Sequence, residues 1–136
     1  MNVEENLRAV REKIERAGRN PDEVTIVAVT KGFGPDVCRA ALNAGLTVLG
    51  ENRVHEALTK MAEVEGAEWH LIGHLQTNKA RMAAGRFQLI QSVDSLRLAE
   101  HIARIEPSQP VLVEVNISRE PQKSGVAPEE TVTLAT

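Results

Sequence analysis

An α/β fold of parallel strands joined by helices is predicted for this chain, and three observations carry the prediction. Short apolar runs alternate with stretches whose apolar residues recur every three or four positions, repeating at roughly two dozen residues, and such alternation requires parallel strands with right-handed crossovers. Residues 24–31, VTIVAVTK, form a near-continuous apolar run that suits a strand covered on both faces, and it ends in a single lysine. The segment that follows, KGFGP, is a poor match to the glycine-rich phosphate fingerprint of an open doubly wound sheet: the third glycine is missing and Pro35 stands where a helix should donate its amides. An open sheet and part of an eight-fold (β/α) barrel both fit the alternation, and the third observation favours the barrel. A barrel takes about 250 residues, against 136 here with about five βα units legible. The chain therefore reads as one partial barrel domain, residues 1–136, with its C-terminal strands missing.

The elements justify themselves in order. Val3, Leu7, Val10, Ile14 and Ala17 form one stripe of an amphipathic helix, with Asn2 and Glu5 as a capping box and Gly18 and Pro21 as its stop. The strand at residues 24–31 follows, then the glycine-rich loop and a helix starting at Asp36 and closing at Gly45. Residues 46–50 read as a second strand, leading into Glu51 and Asn52, and Val54, Leu58, Met61 and Val64 mark the next helix, ended by Gly66. A third strand spans residues 68–73 and exits through His74 into a short helix through Met82. The fourth strand covers residues 87–93, with Asp94 as N-cap of a helix striped by Leu96, Ala99, Ile102, Ala103 and Ile105. Residues 111–117 form the fifth strand, followed by a polar loop at 118–125 and a helix from Pro128.

Composition narrows the function. The chain is 42% hydrophobic and 26% charged, as globular domains are. A net charge of -3 supplies no basic field for a phosphate backbone, and 2% aromatic residues leave no platform for stacking bases, so nucleic acid is excluded as a partner. A single cysteine, Cys38, predicts no internal disulfide and a reducing, cytoplasmic setting. The N-terminal segment MNVEENLRAVREK lacks the apolar core of a secretory signal and no segment is long enough to span a bilayer, so no membrane association is expected.

Parallel strands bring their C-terminal ends to one face: Lys31, Glu51 with Asn52, Gly73 with His74, Ser92 with Asp94, and Asn116 with Ser118. Desolvation at the end of an apolar strand disfavours a charged lysine, and the neutral amine is a nucleophile toward an aldehyde. The other reading of Lys31 is a structural partner of Glu51 or Glu114. His70 and His74 stand four apart, but Gly73 breaks the strand between them and no third ligand lies at a supporting spacing, so a metal pair is disfavoured. Neither Ser118 nor Ser124 sits in a nucleophile elbow.

Four motifs give the chain a resemblance: VAVTK at residues 27–31, GENRVHE at 50–56, WHLIGHLQTNK at 69–79, and VEVNIS with the later KSG at 123–125. In order and interval they resemble those of the pyridoxal phosphate homeostasis proteins, which are alanine racemase N-terminal-domain-like. That resemblance implies a PLP-binding (β/α)8 barrel of TIM type, of which this chain is an N-terminal part, holding pyridoxal 5′-phosphate as an internal aldimine without an established turnover. Carried onto this sequence, it implies Lys31 as the aldimine lysine, Asn52 beside the cofactor, and Ile72 and Asn116 as wall or hydrogen-bonding positions. His74 stands where the family also uses proline, against an essential proton-transfer role.

The implied role is to buffer or deliver the cofactor, with PLP-dependent apo-enzymes as possible recipients and the intact protein a monomer. The alternative from the enzyme class is a PLP-dependent amino-acid racemase or decarboxylase; the racemases' tyrosine base has no counterpart in a chain without tyrosine. A cofactor-free Schiff-base aldolase is a third reading. The family's phosphate-gripping segments belong to its last strands and find no match here, so weak cofactor binding is expected of this stretch alone.

Overall fold

The computed structural model describes residues 1–136. Its centre is a five-stranded, wholly parallel sheet in sequential order, β1 to β5, comprising Val27–Val29, Val48–Glu51, Glu68–Leu71, Leu89–Val93 and Val111–Val113. Each strand follows its neighbour through a helical crossover, as the alternation predicts. The helices are α1 (Val3–Arg16), α2 (Pro35–Asn43), α3 (Val54–Glu63), α4 (Ala80–Ala83), α5 (Leu96–Ile105) and α6 (Thr131–Ala135).

One face of the sheet packs on the helices. Leu49, Leu71 and Ile90 project from adjacent strands into a layer formed by Cys38 and Ala41 of α2, Ala57 of α3, and Leu98 and Ile102 of α5. All of these are buried, and their burial supplies the main drive for folding. Gln109 ties the turn before β5 to the α4–β4 connection: its Oε1 accepts from Gly85 N–H at 2.7 Å and its Nε2 donates to the Phe87 carbonyl at 2.9 Å.

Several elements differ from expectation, each for a local reason. β1 is shorter than the apolar run, and Val29 is 47% exposed. The strand pairs on one side only, with β2, and α1, which neighbours α2 and the turn at residues 21–23, has no fully buried residue. A continuous apolar run marks a strand but does not say which faces are covered. The N-cap of α2 is Gly34, with Pro35 in the first turn; Asp36 instead pairs with Arg39 at 2.8 Å. At α5 the cap is Ser95, whose Oγ accepts from Leu98 N–H at 3.1 Å, which releases Asp94 for another use. β5 ends at Val113 rather than residue 117, because its partner β4 ends at Val93, which pairs with Val113; beyond it Val115 makes only an isolated parallel bridge, with Val126.

Candidate functional site

The C-terminal ends of the strands carry the site. Register aligns Val29 with Gly50 and Gly50 with His70, so these three share the sheet face turned away from the helices. The pairing continues past the strand ends, with Thr30 N–H donating to the Gly50 carbonyl at 3.0 Å and Ile72 N–H to the Glu51 carbonyl at 2.9 Å. Two-residue alternation then carries Lys31, Asn52 and Ile72 onto the same face one step further along. A Cβ on Gly50 would lie 3.0 Å from Val27 Cγ1 and 3.3 Å from Ile72 Cδ1, so Ile72 lies on that face and, with Val27, fills the space over Gly50.

Gly73 holds the third strand's exit against the second. A Cβ there would meet the Asn52 carbonyl oxygen and lie 2.7 Å from Asn52 Cα. Backbone cannot yield as a flexible side chain can. Gly73→Ala is therefore expected to displace the Asn52 segment and cost about 2 kcal/mol of stability, read as a lower midpoint in urea unfolding; a midpoint equal to that of the wild type would contradict the close approach.

Lys31 itself is exposed and makes no ion pair. The carboxylates considered as its structural partners are engaged elsewhere: Glu51 pairs with Lys60 at 2.6 Å and Glu114 accepts from Ser124 Oγ at 3.1 Å. Asn52 lines a concavity of about 610 Å³ with Arg53, Glu56, His74 and Lys79. Asn116 lies at the exit of the opposite edge strand and belongs to a different concavity. Its side chain serves its own loop: Nδ2 donates to the Glu120 carbonyl at 2.8 Å and Oδ1 accepts from Ser118 Oγ at 3.2 Å. Register thus puts Lys31, Asn52 and Ile72 at the exits of adjacent strands, although neither Lys31 nor Ile72 lines the concavity that Asn52 lines, and it sets Asn116 apart, at the rim.

Two arrangements escaped the sequence reading. Asp94 Oδ2 accepts from Gly125 N–H at 3.1 Å and stands 3.6 Å from His74 Nδ1, stitching the exits of β3, β4 and β5 together. Behind Lys31, on the helix side, lies a buried polar network. Thr30 Oγ1 donates to Glu51 Oε1 at 2.7 Å, and Lys60 Nζ donates to the same Oε1, to the Thr30 carbonyl at 2.8 Å and to Glu56 Oε1 at 3.1 Å. Glu56 Oε1 also accepts from Gly32 N–H at 3.0 Å. One signal in the sequence pointed there: Val54, Ala57, Lys60 and Val64 continue one helical stripe, and a lysine within such a stripe requires a buried partner.

Burial works to lower the pKa of Lys60, but its hydrogen bonds to Glu51 and Glu56 more than offset this and push it above the ordinary lysine value. The Gly32 amide, followed by Lys60, holds Glu56 below the usual carboxylate range. Desolvation pushes the buried Cys38 thiol up, opposed by Thr30 and Lys60.

Sequentially ordered parallel strands with polar groups at their C-terminal ends, among them a lysine free of ion pairs, define the class: an α/β protein of barrel type with polar side chains gathered at its mouth. Within that class the chain belongs to the alanine racemase N-terminal domain family, whose profile matches residues 2–136. A pyridoxal phosphate homeostasis protein of Haemophilus influenzae is 38% identical over 147 residues, covering 99% of this chain and 62% of the relative. Its namesake in Aquifex aeolicus is 42% identical over 139 residues, covering 95% of this chain and 61% of the relative. The solved structure of PipY from Synechococcus elongatus with PLP bound superposes with a TM-score of 0.79 at 35% identity, covering 98% of this chain and 64% of that one. The chain spans a little over three-fifths of the length of these relatives.

Proposed function

We propose that this chain forms the cofactor-holding part of a pyridoxal 5′-phosphate homeostasis protein, which takes the cofactor on Lys31 and keeps it available to cytoplasmic PLP-dependent apo-enzymes without turning over a substrate. The observation that carries this reading is Lys31: an exposed, unpaired amine just past the C-terminal end of β1, with its backbone neighbours held by hydrogen bonds. The names of the relatives and the PLP-bound PipY structure support it.

Pyridoxal phosphate supplies an aldehyde, which condenses with a neutral amine and releases one water, reversibly. The residues present fit that aldehyde end. Lys31 supplies the amine. Asn52 and Ile72 stand at the exits of the two neighbouring strands on the same sheet face, and Asn116 orders the loop at the far rim.

Borohydride trapping tests the reading. The full-length protein is mixed with pyridoxal phosphate, reduced and digested, and the reduced cofactor is expected on the peptide containing Lys31. Label found on Lys79 or Lys123 instead, or no label at all, would overturn the assignment. Incubation of the loaded protein with single-enantiomer amino acids is expected to leave their configuration unchanged.

A further inference from the structure

We propose that Lys60 and Glu56, with Glu51, form a clamp that positions Lys31, so that both α3 residues are positioning residues for capture of an aldehyde at the mouth. This inference deepens the proposed function and rests on Lys31 being the capturing amine.

The argument lies in where the network ends. Lys60 and Glu51 are almost completely buried, at 4% and 0% exposed. All three ammonium protons of Lys60 have acceptors: Glu51 Oε1, Glu56 Oε1 and the Thr30 carbonyl. Glu56 in turn accepts from Gly32 N–H. The two backbone groups that the network reaches are the carbonyl immediately before Lys31 and the amide immediately after it. The Thr30 carbonyl also accepts from Phe33 N–H at 3.1 Å, closing the turn that contains Lys31, and Gly32 adopts φ +77°, a conformation that glycine reaches without strain.

The base of the Lys31 side chain is therefore held on both flanks from the helix side, while its amine is left without an ion-pair partner. Stability alone does not call for such a device, because a buried ion pair can commonly be replaced by apolar residues at no loss. Positioning does call for it: a nucleophile displaced by about 1 Å can lose a hundred-fold in effectiveness.

Glu56→Ala, Glu56→Gln and Lys60→Met in the full-length protein test the clamp. Two readouts are taken: hydrogen exchange of the Gly32 segment without cofactor, and the pyridoxal phosphate concentration giving half of the yellow absorbance. Glu56→Ala is expected to speed exchange and raise the half-saturating concentration about ten-fold or more, with little change in unfolding midpoint because Glu56 stands at the partly exposed end of the network. Glu56→Gln retains an oxygen for Gly32 N–H and is expected to restore most of both readouts. Lys60→Met is expected to move both readouts in the same direction, at a cost in stability that Glu56→Ala does not carry; where it fails to fold, the Glu56 pair decides. A folded Glu56→Ala variant with wild-type exchange and wild-type half-saturation would overturn the proposal. If the wild type develops no absorbance, the functional reading fails, and unchanged exchange in Glu56→Ala still refutes the clamp.

Discussion

Lys31→Ala is expected to abolish the yellow absorbance that the full-length protein gains with pyridoxal phosphate, while leaving the fold intact. The effect is all-or-none because a covalent link to an aldehyde needs an amine, and alanine has none. Lys31→Arg is expected to be equally colourless, since a guanidinium keeps its proton at any pH the fold survives. Neither change disturbs packing: the side chain is exposed and without an ion pair, so the unfolding midpoint should stay within about 0.5 kcal/mol of the wild type. The measurement is an absorbance titration beside a urea melt. A Lys31→Ala variant that still yellows, and whose colour is fixed by borohydride, would transfer the role to another lysine.

The second large effect concerns stability. Lys60→Met leaves the Glu51 carboxylate buried beside Thr30 without its counter-charge, and removing one partner of a buried pair typically costs 3–5 kcal/mol, so about 3 kcal/mol is expected here. The double variant Glu51→Leu with Lys60→Met removes both charges and should recover most of that loss, because desolvation of two ions no longer opposes folding. Urea unfolding of the two variants gives the comparison; a double variant no more stable than Lys60→Met would show that the network contributes more than mutual charge compensation.

The pH dependence of this network has a definite sign. The raised pKa of Lys60 contributes stability that is complete below the ordinary lysine range and is lost as pH rises through the raised value. The lowered pKa of Glu56 contributes stability that is complete above the ordinary carboxylate range and is lost as pH falls through the lowered value. Between the two ranges, at neutral pH, the clamp is at full strength.

Much of the frame was legible in the chain itself. Each strand has a local apolar signature and each crossover a helical stripe, and both depend only on neighbours in sequence. The polar exits at Lys31, Asn52 and Asn116 follow from the strand ends without further information. What was misread turned on distant partners. Asp94 is as good an N-cap as Ser95 by residue type; Gly125, far along the chain, engages Asp94 and leaves the cap to Ser95. Asn116 is a local case: Glu120 and Ser118, in its own loop, engage its side chain.

By itself, then, the sequence determined the parallel α/β order and the lysine at the end of the first strand, since periodicity and strand ends are local properties. Only the tertiary structure decided what surrounds that lysine. Glu51 turns to Lys60 rather than to Lys31, because alternation along β2 sends its side chain to the helix side, where α3 supplies the counter-charge. The same geometry joins Thr30, Glu51, Glu56 and Lys60, from three separate elements, around the two peptide groups that flank Lys31. No spacing along the chain encodes that meeting; it exists once strand and helix are packed.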